Sequence, residues 1–341
     1  MMMKRSIFVI AFFSLAPFLF SFMAADKSPQ KMVKTIIVDA GHGLMPGGGH
    51  NGAKGSYSYE DDICLAVAKE LVSQLHEALP DVHIIETRPN PEITSLYRRA
   101  DIANENKGDL FVSIHCNAAP PIRHHEFAGY KNTRVTVGKG KKKRTVTKKV
   151  AEYNNYTTPN NRSGTETYIW GAHKNEDKEV AVRENAPMLQ EEDYKEKYGD
   201  IDPNSPEFIA LSLLKTKQFF KRSATLAGFV EDEFAKAGRS SRGQMQRQVG
   251  IWVLQATAMP SVLVETGYIT NKSEEDYLNS KDGQVEIARC VTNAVSSYVN
   301  WLDKSQQPSS NDSNSKNDKS PTPRDSHAFL DMIEAKEHSL Q

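Results

Sequence analysis

Three short runs rich in branched apolar residues, KTIIVDA (34–40), VHIIETR (82–88) and DLFVSIHCN (109–117), are separated by two stretches of helical periodicity. No other feature of the chain constrains its fold so strongly. Strands of this apolar density are buried on both faces, and parallel neighbours need a crossover of a dozen or more residues, usually a helix. The first crossover, EDDICLAVAKELVSQLHEAL (60–79), repeats Val67, Leu71, Leu75 and Leu79 along one side of a helix. Ser58 followed by Asp61 predicts a capping box at its start. The second, ITSLYRRADIANEN (93–106), sets Leu96, Ala100 and Ala103 at helical spacing. The pattern continues with a strand GTETYIW (164–170), a long helix over 207–238, a strand SVLVETG (261–267) and a closing helix over 284–302. The expected class is α/β: a twisted, mostly parallel sheet with helices on both faces.

Around this core (33–303) the composition changes. Residues 1–25 carry Lys4 and Arg5, then an apolar stretch from Ile7 to about Met23 that ends in Ala24-Ala25, the order of a cleaved secretory leader. An uncleaved anchor is the alternative, and no later segment is apolar enough to span a bilayer. Export to the periplasm or cell envelope follows from the leader. Residues 304–341 are a polar tail with little to bury. Two inserts interrupt the core. One (118–161) is basic, with Val-Thr alternation on either side of a Gly-Lys turn that predicts an exposed β-hairpin; the other (173–206) is acidic. The whole chain has 43 basic and 43 acidic residues, so it has no global electrostatic footprint for nucleic acid. Cys64, Cys116 and Cys290 have neither CxxC spacing nor an even count, and so imply no disulfide framework or zinc knuckle.

In open α/β sheets ligands bind beyond the carboxyl ends of the strands. His42 follows the first strand, His115 lies near the end of the third, Glu265 ends SVLV, and Glu60 opens the helix after the glycine-rich loop. Two imidazoles and a carboxylate make a catalytic zinc set with one position open to water, and a further carboxylate beside it serves as general base. Each residue alone has a plainer explanation. His50 rivals His42, Glu60 suits a helix N-terminus, Glu265 can pair with an arginine, and the glycines suit tight turns.

The segments IIVDAGHG, SLYRRADIAN, DLFVSIHCNA, GTETYIW, VRENA and MPSVLVETGYITN, with Glu60 between the first two, resemble the zinc-dependent N-acetylmuramoyl-L-alanine amidases with a two-His, one-Glu metal site. The resemblance covers nearly all of the core. It implies a three-layer α/β sandwich, Zn2+ on His42, Glu60 and His115, and Glu265 as the catalytic carboxylate. The implied reaction is hydrolysis of the amide between the lactyl group of N-acetylmuramic acid and the L-alanine of peptidoglycan stem peptides. Another envelope zinc peptidase and a non-catalytic wall-binding protein are the competing readings. In some relatives a helix inserted near the acidic segment occludes the cleft until a protein activator displaces it; Glu184, Glu191 or Glu192 is placed for that role, against a solvated acidic loop. Cys116 stands where the family has a small residue, either as a packing variant or as a rival metal ligand. Pro91 replaces an Asp usual after the TR pair. Arg99 matches a family arginine that a surface ion pair explains equally well.

Overall fold

The computed structural model describes residues 31–170, 206–247 and 251–305, with backbone alone at 206–218 and 245–247. The expected leader, all but the last residue of the acidic insert and all but the first two residues of the tail lie outside the described residues.

Strands β1 (Thr35–Ala40), β4 (His83–Glu86), β5 (Leu110–Asn117), β8 (Thr165–Trp170), β9 (Ser241–Arg247) and β10 (Ser261–Tyr268) form one sheet in the order β4-β1-β5-β10-β8-β9. The four strands from β4 to β10 are mutually parallel; β8 runs against β10 and carries β9 parallel to itself. Two short strands, β2 (Gly43–Leu44) and β3 (His50–Asn51), pair with each other beyond the end of β1.

Both faces are covered. Helix α1 (Glu60–Ala78) brings Ile63, Cys64, Val67, Leu71 and Leu75 onto one face. Beside it there pack α3 (Pro206–Lys236) and α6 (Lys281–Ser305). The even-numbered side chains of β5 (Leu110, Val112, Ile114 and Cys116) point into this larger core. The opposite face holds a smaller core of Ile37, Phe111, Tyr168 and Leu263 against α2 (Leu96–Glu105) and α4 (Trp252–Ala256). Each of these buried large side chains contributes roughly 1.5–3 kcal/mol relative to exposure. A further helix, α5 (Lys272–Asn279), follows β10 and is capped by Asn271, whose side chain accepts from the Ser273 and Glu274 amides. Sequence periodicity did not anticipate β9, α4 or α5.

The capping box is a correction. Tyr59 is the N-cap of α1 and makes no side-chain cap. Ser58 Oγ donates instead to Glu275 Oε1 (2.8 Å), and Glu275 also accepts the Tyr57 and Ser58 amides and the Ser56 hydroxyl. One carboxylate of α5 therefore organises the loop that leads into α1. Gly55 is required there, because a Cβ would collide with that carboxylate.

The hairpin of the basic insert is longer than the Val-Thr alternation indicates. Strands β6 (Ile122–Val137) and β7 (Arg144–Thr158) pair from Ile122↔Thr158 to Val137↔Arg144 and, among the described residues, join no other strand.

Candidate metal centre

His42 lies just past β1 with φ of +61°, a left-handed backbone that costs energy outside glycine. Two buried arginines hold it there. Arg88 donates to the carbonyls of Ala40 (2.9 Å), Gly41 (2.9 Å) and Asp61 (2.8 Å). Arg99 donates to the carbonyls of Ala40, His42 and Thr94, and to Asp39 Oδ1 at 2.6 Å. Arg99 is 1% exposed, so the surface ion pair offered for it is wrong. Arg99 lies on helix α2, which carries its side chain into the buried space beside the His42 carbonyl. Burial pushes the Asp39 carboxyl up, but Arg99, Ser113 and Thr87 together hold it below the usual carboxylate range.

Glu60 is fully buried at the first position of α1. Its Oε2 accepts the Ala53 amide at 2.7 Å and its Oε1 the Cys116 amide at 3.0 Å, so two backbone donors fix the carboxylate. Oε1 then lies 3.1 Å from His42 Nε2 and 3.3 Å from His115 Nδ1. The two imidazoles meet edge to face, with centroids 4.8 Å apart. On the far side of the His42 ring, Nδ1 lies 2.9 Å from Asn51 Oδ1 on β3. The Asn51 amide nitrogen faces Met45 Sδ, so its oxygen is the acceptor and His42 Nδ1 the donor. That tautomer points the Nε2 lone pair at Glu60. Two glycines make the space: a Cβ on Gly41 would stand 2.5 Å from the His115 ring, and one on Gly52 would stand 2.7 Å from the His42 ring.

His42, Glu60 and His115 thus gather three donor atoms within 4.8 Å, all buried. Donors on one tetrahedral Zn2+ at roughly 2.0–2.2 Å are about 3.4 Å apart, which the two measured separations match. Two nitrogens and a carboxylate oxygen form one of the donor sets of catalytic zinc sites, with the outer imidazole nitrogen of His42 held by an amide oxygen in the manner of a metal-bound histidine. The residues fit the ion.

His50 belongs elsewhere. Its Nδ1 pairs with Asp61 Oδ1 at 2.9 Å, and its ring stacks on Tyr59 at 3.8 Å. Cys116 is a packing residue: consecutive strand residues face opposite ways, and its thiol lies in the larger core near Thr266. Pro91 still serves the loop, its carbonyl accepting the Leu44 amide at 2.8 Å.

Glu265 is fully buried on β10, directly opposite His115 in the parallel register and opposite Glu166 in the antiparallel one. Cross-strand partners share a face, so His115, Glu265 and Glu166 form a row across three strands. The ladder is irregular immediately after Glu265, between it and Tyr268, a placement common beside active sites. Glu166, overlooked in the sequence reading, accepts from Asn117 Nδ2 (3.0 Å), Tyr168 Oη and Tyr268 Oη (2.7 Å), and pairs with Arg242 at 2.7 Å. Its carboxylate ends the row with every oxygen engaged. The arrangement, a buried three-donor pocket with a carboxylate on the adjoining strand, is suited to hydrolysing a polarised carbonyl.

A family model described as N-acetylmuramoyl-L-alanine amidase matches residues 36–297. Among curated proteins, the chain is 28% identical to N-acetylmuramoyl-L-alanine amidase AmiA of Escherichia coli (strain K12) over 281 residues, which cover 82% of this chain and 80% of that one. It is 27% identical to AmiA of Salmonella typhimurium over 272 residues, 79% and 78% of the two chains. Among solved structures, an N-acetylmuramoyl-L-alanine amidase from Clostridium difficile 630 is similar at 22% identity with a TM-score of 0.48, covering 79% of this chain and 97% of the other.

Proposed function

The chain belongs to the N-acetylmuramoyl-L-alanine amidase family, and from that membership we propose that His42, Glu60 and His115 hold one Zn2+ and that Glu265 is the catalytic carboxylate. The activity is hydrolysis of the amide that joins N-acetylmuramic acid, through its lactyl group, to the L-alanine of the peptidoglycan stem. The observation that carries the metal assignment is the separation of Glu60 Oε1 from the two histidine nitrogens, 3.1 and 3.3 Å in a buried pocket.

Zinc bound there supplies a Lewis acid that polarises the lactyl carbonyl and lowers the pKa of water to about 7. The protein does the rest. Glu265, opposite His115, takes a proton from the attacking water on its carboxylate. As the C–N bond breaks, the same carboxyl passes that proton to the L-alanine nitrogen, leaving a free amine and a lactyl carboxylic acid, whose remaining proton is then lost to water. Arg88 and Arg99 keep the His42 backbone in its left-handed state throughout. The leader composition of residues 1–25 supports export to the envelope, where peptidoglycan lies; among the described residues no helix is long and apolar enough to cross a membrane.

Dye-labelled sacculi test this reading. Wild-type protein is expected to release dye with new L-alanine amino groups and intact glycan strands, reversibly blocked by a chelator. Glu265→Ala is expected to retain zinc and lose turnover by a factor of about 10²–10⁴. Release of peptide fragments without new L-alanine termini would instead make the protein an envelope peptidase, and near-normal turnover in the variant would remove Glu265 from the chemistry.

A further inference from the structure

The β6–β7 ribbon takes no part in the chemistry above, yet it leaves the body at the rim of the site. β6 begins five residues after Asn117, the last residue of the strand that carries His115, and β7 returns to β8, which carries Glu166. At about 3.3 Å per residue its strands extend roughly 50 Å.

Between Ile122 and Thr158 the ribbon has ten Lys and Arg against two Glu, in a chain whose net charge is zero. Of the eight large hydrophobic side chains exposed among the described residues, six are on this ribbon. Phe127 is 56% exposed, Tyr130 71% and Tyr153 43%. They are not scattered. Phe127 lies opposite Tyr153, and the register shift between Phe127 and Gly129 brings Tyr130 onto the same face, although an unbroken strand would put residues three apart on opposite faces. The rings of Tyr130 and Tyr153 then stand edge-on to Phe127 at 5.2 and 5.8 Å, with His125 stacked on Tyr153 at 4.1 Å. Farther out on this face come Lys149 opposite Asn132 and Arg134 opposite Thr147, and then the basic tip, Lys141 to Arg144.

An unsupported two-stranded ribbon is marginal in water, and lysines on open edges are explained by the need to block strand addition. That need does not explain a bulge that gathers three exposed aromatic rings. An aromatic platform followed by a basic stretch matches a polymer of sugar rings with carboxylates along it. The C–H faces of pyranose rings stack on aromatic π-faces, and carboxylates pair with Lys and Arg. A membrane-inserting arm would have its aromatics at the tip, where this one has Gly138, Lys139 and Lys141 to Lys143.

We infer that the face of the ribbon formed by Phe127, Tyr130, Tyr153, Arg134 and Lys149 is a binding arm for the glycan strand of peptidoglycan and its carboxylates, guiding that strand to the metal centre. The inference rests on the amidase reading for the identity of the polymer. Before hydrolysis the lactyl groups are amides, so the carboxylates that meet Arg134 and Lys149 are those of the attached stem peptides, and each cut leaves one lactyl carboxylate in their place.

The experiment compares the full-length protein with F127S/Y130S/Y153S and with R134S/K149S/K141S/K142S/K143S. Each is sedimented with insoluble sacculi on ice, and each is assayed on a small soluble muramoyl-peptide too short to reach the arm. Both variants are expected to keep soluble turnover within about twofold, which also reports an intact core. Their affinity for sacculi is expected to fall tenfold or more, and in the charge variant the salt dependence of binding is expected to flatten. Unchanged sedimentation of both variants overturns the inference. So does binding that is lost only to phosphatidylglycerol vesicles or to duplex DNA, which would give the arm a membrane or nucleic-acid partner. A wild-type protein that turns over neither substrate yet sediments through the ribbon would refute the proposed chemistry and leave the arm standing.

Discussion

The carboxyl edge of the sheet and the β6–β7 ribbon place polar groups in opposite ways. At the edge, Asp39, Arg88, Arg99, Glu60 and Glu265 are almost wholly buried, and the contacts of Arg99 alone reach three backbone carbonyls and a carboxylate. Along the ribbon, Lys131 and Glu152 meet at 3.7 Å in water, and aromatic rings stand clear of any core. Buried charge is expensive and is tolerated only when every partner is in place; exposed charge is inexpensive and free to meet another molecule. The edge is therefore built to hold one arrangement, and the ribbon to accept a ligand.

Substitutions should separate the two regions by size of effect. The largest belongs to Arg99→Ala, which strands the Asp39 carboxylate and releases the His42 carbonyl. Unfolding by urea is expected to show a loss of about 3–5 kcal/mol, a large share of a domain's stability. Arg99→Lys should recover little of it, since an ammonium cannot reproduce the fork. A loss under 1 kcal/mol would show that the edge is as tolerant as the ribbon.

Glu275→Gln comes next, testing the loop that delivers α1. Burial pushes the Glu275 carboxyl up, but its hydrogen bonds from Ser56, Tyr57 and Ser58 outweigh this and hold it below its ordinary value. A lowered folded pKa stabilises above the unfolded value, about 4.3 for glutamate, and that stabilisation is lost as pH falls through the folded value. The variant should be weaker by about 1.5–3 kcal/mol at pH 7, and the gap should close below pH 4. A gap independent of pH would contradict the assignment.

Asn51→Ala should weaken metal affinity ten- to hundredfold, roughly 1.4–2.7 kcal/mol, with little change in the unfolding of the metal-free protein, because it frees only the outer nitrogen of His42. Competition with a chromogenic chelator measures it. Smallest of all, Tyr130→Ser should shift unfolding by no more than about 0.5 kcal/mol. A larger loss would mean that the exposed ring is structural.

The same contrast decides what could be read from the chain. The core strands were legible as dense apolar runs bounded by helical stretches, and α1 and α2 because their apolar residues recur at a period of 3.6. His42, His115 and Glu265 were legible as positions because they sit at or near the carboxyl ends of parallel strands, and Glu60 because it opens the helix that follows the glycine-rich loop. Asp39 left a fainter signal, a charge inside an apolar strand, and Arg88 one just past a strand's end, while Arg99 stood out only through its match to a family arginine: spacing in ITSLYRRADIANEN does not say which of its two arginines turns under a loop 57 residues earlier. Ser58 has the right spacing for a cap, but its hydroxyl is claimed by Glu275, more than two hundred residues on. The Val-Thr alternation marked a hairpin, yet the register shift that aligns Phe127 with Tyr130 depends on pairing and cannot be seen in one strand.

The central claim is that two imidazoles and one glutamate hold a single ion, and metal analysis of purified protein tests it most directly. Wild type is expected to contain about one zinc per chain, and His115→Ala less than a tenth of that with unchanged circular dichroism. Fully active protein without stoichiometric zinc, or zinc retained undiminished in the variant, would contradict it.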